Sequence, residues 1–103
     1  MQIQVSREAC CAQDDQLGPL EMVYNLSSDA TLSELVQKIV ASRFLQYSSS
    51  HTTMLGEAGT VGVVKVFSAY YCGNKEAEFL AAPDEPVRSV IAANVLHFRF
   101  VFA

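Results

Sequence analysis

Two histidines, three cysteines and a run of spaced glycines are the places where this chain has residue types suited to chemistry. Cys10 and Cys11 are adjacent, and a disulfide between neighbours would close a strained ring. With Cys72 the thiol count is odd, so no closed disulfide framework is expected and the thiols read as reduced. A structural zinc site takes four ligands, often in C-x2-C or H-x3-H pairs, whereas His51, His97 and the cysteines offer no such pair. An iron–sulfur centre lacks its fourth cysteine. No metal and no cofactor is therefore expected. A small thiol-dependent enzyme built on Cys10, Cys11 or His97 stays open as a further alternative, and would require a low-pKa thiol.

The run GEAGTVG places Gly56, Gly59 and Gly62 three residues apart. A phosphate-cradling loop needs a preceding strand, a following helix N-terminus and usually a lysine. These glycines lead into a strand-like run, so they read as turns before it. His51 sits in SSSHTT without a G-x-S-x-G elbow, which leaves no argument for a nucleophile beside a base. The acidic pairs Asp14-Asp15 and Asp84-Glu85 read as solvated turns. No catalytic residue is assigned.

The elements that would position any site follow from periodicity. Residues 2–6, QIQVS, alternate Ile3 and Val5 against Gln2, Gln4 and Ser6, a half-buried strand. Residues 7–18 form a polar loop, and LEMVYNL (20–26) alternates again, with Pro19 before it suited to an edge strand. Thr31 and Glu34 have capping-box spacing, and Leu32, Leu35, Val36, Ile39, Val40 and Phe44 then recur every three or four residues. That predicts a helix over about 31–45. Residues 46–60 are expected to be a long loop, with an irregular extra strand conceivable near TTML (52–55). VGVVKVFSAYY (61–71) reads as a strand, CGNK (72–75) as a turn and EAEFLA (76–81) as a return strand. Residues 82–94, with two prolines, allow only a short helical turn near 86–92 before the closing strand 95–102. No repeat or linker interrupts the chain, so residues 1–103 are expected to form a single α+β domain of two layers, ordered ββαβββ.

This pattern resembles the β-grasp fold of ubiquitin-like proteins over nearly the whole chain. Met1 opens directly on the first strand, DATLSELVQKIV resembles the helix after the first hairpin, and DEPVRSVIAANVLHFRFVF resembles the late turn and final strand. The resemblance implies a mixed sheet of four to five strands packed on one main helix, with the first and last strands side by side at its centre. Ubiquitin-like modifiers and sulfur carriers end in a flexible Gly-Gly tail. Here no glycine follows Gly73 and the sequence closes on Ala103, so either role would require maturation from a longer precursor.

On a β-grasp sheet, Ile3, Val5, Leu96, Phe98, Phe100 and Phe102 would face the helix. The opposite face would then carry Gln2, Gln4, Ser6, His97, Arg99 and Val101. If Val64 and Val66 point inward, Lys65 and Phe67 join it, and the face is expected to be polar and mildly basic. Ubiquitin binds partners on this face. The expected function is therefore a non-catalytic protein-interaction module: a small adaptor, regulatory or inhibitor protein. Its partner site would be Gln2, Gln4, Ser6, Lys65, His97 and Arg99, with Arg99 as anchor and Arg7 in support. The edge of the second strand is a further candidate surface.

Seven lysines and arginines against eleven acids give a net charge of −4 and no basic stripe, so no nucleic acid is expected. No polybasic patch, apolar leader or membrane-spanning run is visible, so no membrane is expected and a cytoplasmic, monomeric or weakly dimeric protein is.

Overall fold

The computed structural model describes residues 1–8, 20–45, 47, 52–68, 73 and 76–101. The elements in chain order are β1 (Gln2–Arg7), β2 (Glu21–Asn25), α1 (Leu32–Ala41), β3 (Thr53–Ala58), β4 (Val61–Phe67), β5 (Glu78–Phe79), α2 (Val87–Val90) and β6 (Val95–Phe100). The architecture is α+β: a mixed six-stranded sheet in the order β2-β1-β6-β3-β4-β5, with one main helix. β1 and β6 run parallel at its middle, and every other neighbouring pair is antiparallel. Among the described residues, no helix is long and apolar enough to cross a membrane.

α1 starts where its cap residue stands. The Thr31 hydroxyl accepts the Glu34 amide at 3.3 Å, while no return bond from the Glu34 carboxylate forms among the described residues. The helix ends at Ala41, earlier than its apolar spacing predicts. Arg43 turns into the left-handed region at φ 58°, which stops the helical ladder. Ser42 then donates its hydroxyl to the Ile39 carbonyl at 2.7 Å. Phe44 and Leu45 still enter the core, but from beyond the helix. Leu32, Leu35, Val36 and Ile39 are its buried stripe. Val40, expected on that stripe, is 53% exposed.

The sheet has six strands where four to five were expected. β3 occupies part of the expected loop 46–60, wider than the irregular strand conceived near 52–55. It forms a hairpin with β4 across Gly59-Thr60, where Gly59 has φ 66°. Gly56 is not a turn residue. It lies within β3 opposite Phe98, and a β-carbon there would stand 2.8 Å from Phe98 Cε1. The missing side chain makes room for the ring. β5 is only two residues long, shorter than the expected 76–81.

The core lies between α1 and one face of the sheet. Ile3 and Val5 of β1, Leu96 and Phe98 of β6, Met54 of β3 and Val64 and Val66 of β4 are all buried there. Alternation on β1 and β6 therefore sets the inward residues as the sequence predicts. α2, with Val87 and Ile91 fully buried, closes one end of this layer. Phe100 is only half-buried, and Phe102 lies outside the described residues.

Candidate docking face of the sheet

The second face of the sheet is covered by no described helix or strand. Its residues can be placed row by row from the strand register, because directly opposed residues project to the same side. Gln4 of β1 lies between Val23 of β2 and Val95 of β6. Ser6 lies between Glu21 and His97, and His97 in turn faces Glu57 of β3. Arg99 faces Leu55, Leu55 faces Lys65, and Lys65 faces Glu78. Gln2 completes the face opposite Asn25.

All six sequence-predicted site residues thus share one face: Gln2, Gln4, His97 and Arg99 are exposed, and Ser6 and Lys65 are half-buried. Ser6 Oγ and His97 Nδ1 lie 2.7 Å apart, which couples β1 to β6 through their side chains and fixes the imidazole ring. Arg99 Nε donates to Glu57 Oε1 across the β6–β3 boundary. Such an exposed pair contributes at most about 1 kcal/mol. It does, however, tie the guanidinium to β3 and set an opposite charge beside it.

The electrostatic expectation for this face needs correction. It was expected to be mildly basic, yet Lys65 and Arg99 share it with Glu21, Glu57 and Glu78. Arg7 does not support it at all. The period-two alternation that exposes Ser6 turns Arg7 to the helix side, where it is 3% exposed and its guanidinium stands 5.6 Å from the Phe44 ring centroid. Sequence reasoning also missed Glu57, Leu55, Val23 and Val95. Glu57 was hidden because β3 was read as loop. Val95 was readable: it shares the odd-numbered parity of His97 and Arg99.

Chemically, this surface has a polar centre and apolar flanks. Val23 and Val95 are 53% and 45% exposed on either side of Gln4. Leu55 and Leu80 approach from the other end, both within 3.4 Å of where a Gly62 β-carbon would be. The Ser6–His97 contact has two parts of a hydrolytic triad but not its arrangement. The imidazole nitrogen next to a triad carboxylate is here turned to the serine, and Glu57 is engaged by Arg99. β1 is paired on both sides, so its amides serve the ladder and do not converge as an oxyanion hole at Ser6.

The helix side carries a different feature, a groove of about 650 Å³ over Val66, bounded by Val36, Val40, Ala77 and Phe79. Three or more metal-ligating side chains gather nowhere among the described residues. Cys10, Cys11, Cys72, His51 and the Asp14-Asp15 pair lie outside the described residues. No family model, curated protein or solved structure matches this chain.

Proposed function

We propose that this chain is a non-catalytic protein-interaction module of the β-grasp, ubiquitin-like type, acting in the cytoplasm and docking a protein partner on its open sheet face. The observation that carries the reading is a sheet face that no described helix or strand covers. Gln4 lies between two exposed valines, with Gln2 and Ser6 on either side of it along β1 and His97 beside Ser6, on strands whose opposite faces are locked into the core. A rigid platform of this kind pre-organises the contacts, so little ordering entropy is lost on binding. The β-grasp assignment draws support from the opening antiparallel hairpin, the single main helix and the closing strand lying parallel beside the first. The partner suited to this face presents an apolar knob to Val23 and Val95. Around it would stand groups that both donate and accept hydrogen bonds, since the charges on the face are mixed.

The test is affinity capture from source lysate with an N-terminally tagged protein. Amide chemical-shift mapping with the purified captured protein follows. Shifts confined to β1, β6 and β3 with loss of binding in Arg99→Glu and Gln4→Ala are the expected result. Shifts centred on α1 would refute the placement.

A further inference from the structure

His97 stands between two acids on the open face. Ser6 of β1 lies beside it, with Glu21 of β2 on the far side of Ser6, and Glu57 of β3 lies directly opposite it. The register puts all four side chains on one side of the sheet. The ring is held through Nδ1, 2.7 Å from Ser6 Oγ. Glu57, although opposite His97, is taken by Arg99, the next β6 residue on this face. The side chains of that pair are 45% and 19% exposed, so water competes for it. The other charged groups on this face lie farther off in register: Lys65 of β4, Glu78 of β5, and Glu8, whose carboxylate accepts the Phe100 amide at 2.7 Å. α1 packs on the opposite face and turns no charge towards the ring.

We propose that His97 is a proton-operated relay across the open face, linking Ser6 and Glu21 on one side to Glu57 and Arg99 on the other. Imidazole is the side chain whose charge ordinarily changes between about pH 5 and 8. In the neutral ring Nδ1 is bare and accepts the Ser6 hydroxyl proton. Uptake of one proton from water leaves a hydrogen on both ring nitrogens, and Nδ1 becomes a donor to Ser6 Oγ. The serine's own proton must then turn away from the ring, towards the side on which Glu21 lies. Across the other boundary the new positive charge stands opposite Glu57 and competes with Arg99 for its carboxylate. An exposed ion pair is weak enough for a neighbouring charge to redistribute. Protonation therefore loosens Arg99 from β3, and the guanidinium becomes available to a second anion. The relay is a property of the sheet alone. Its use rests on the docking reading above: an acidic group on a partner would be held more tightly as pH falls through the imidazole range.

Nuclear magnetic resonance of the protein alone, without a partner, tests the relay. The titration is kept above about pH 5.5, where imidazoles and not ordinary carboxylates change charge. Long-range proton–nitrogen spectra of the neutral ring should show Nδ1 as the bare nitrogen. As pH falls, the Arg99 Nε–H resonance should shift with the same midpoint as the His97 ring. That shift should vanish in His97→Gln. Glu57→Gln keeps the imidazole and should also abolish it, whereas Ser6→Ala should leave it in place. A neutral ring protonated at Nδ1 overturns the proposal. So does an Arg99 resonance that stays fixed while His97 titrates, or one that moves equally in His97→Gln or Glu57→Gln.

Discussion

The two faces of this sheet are made by the same strands, one residue out of step, and behave as different materials. On β6 the helix-side residues Leu96 and Phe98 are fully buried, while Val95, His97 and Arg99 are exposed. The first set is held by packing at interior density, so any change of volume is felt. The second set is held by a hydrogen bond and an exposed ion pair, both replaceable by water. On β1 and β6 stability is therefore concentrated on one parity of the strand, and the other parity is left open to change.

The largest expected break in this contrast is Phe98→Ala. Removing a fully buried ring should cost about 3–5 kcal/mol, seen as a large fall in the urea midpoint. Gly56→Ala probes the same contact from below. Its β-carbon would press on Phe98 and on Val64 Cγ1 at 3.1 Å, and a loss of about 1–3 kcal/mol is expected by thermal melting.

A polar group on the buried parity makes a third test. Tyr24 is buried against Phe44, edge to face with ring centroids 6.5 Å apart. Its hydroxyl lies 2.7 Å from Ser42 Oγ, whose own proton goes to Ile39. Tyr24→Phe should cost about 1 kcal/mol at neutral pH. Burial raises the phenol above its ordinary value of 10.0, although the Ser42 bond opposes the shift. Above that ordinary value the unfolded chain ionises first, so stability falls as pH rises through the phenol's titration range. Urea titrations at increasing alkaline pH should show this decline for the wild type and a smaller one for Tyr24→Phe. An equal decline in both would remove Tyr24 as its source.

The smallest effect belongs to the open face. Arg99→Ala and Glu57→Gln should each shift stability by no more than about 0.5 kcal/mol in chemical denaturation. A loss comparable to that of Gly56→Ala would mean that the open face is structural, and the contrast would collapse.

Much of this division was legible from alternation alone. Ile3, Val5, Leu96 and Phe98 against Gln2, Gln4, Ser6, His97 and Arg99 is a period-two pattern, and the register reproduces it. α1 was legible from its cap and apolar stripe, but its end was not. The left-handed turn at Arg43 is set by where Phe44 must go to reach the core, and that is a tertiary demand. β3 was obscured for a related reason. TMLGEA has a glycine and an acid in mid-strand, both unfavourable locally. The glycine makes room for a ring from β6, and the acid pairs with an arginine of β6, so neither is intelligible until the two strands are side by side. Arg7 was misplaced against its own parity, having been grouped by charge with residues of the other face.

The parallel pairing of β1 with β6 also constrains how the chain is made. Ser6 and His97 are 91 residues apart, yet they are neighbours at the middle of the sheet. Contacts of such separation incur their loop-closure entropy before returning any stabilisation, and topologies dominated by them fold slowly. As the chain emerges from the ribosome, the β1–β2 hairpin and the β3–β4 hairpin can each form early, but both wait for the strand that joins them. During that interval the inner edges of β1 and β3, with their apolar flanks, are open to any other extended chain.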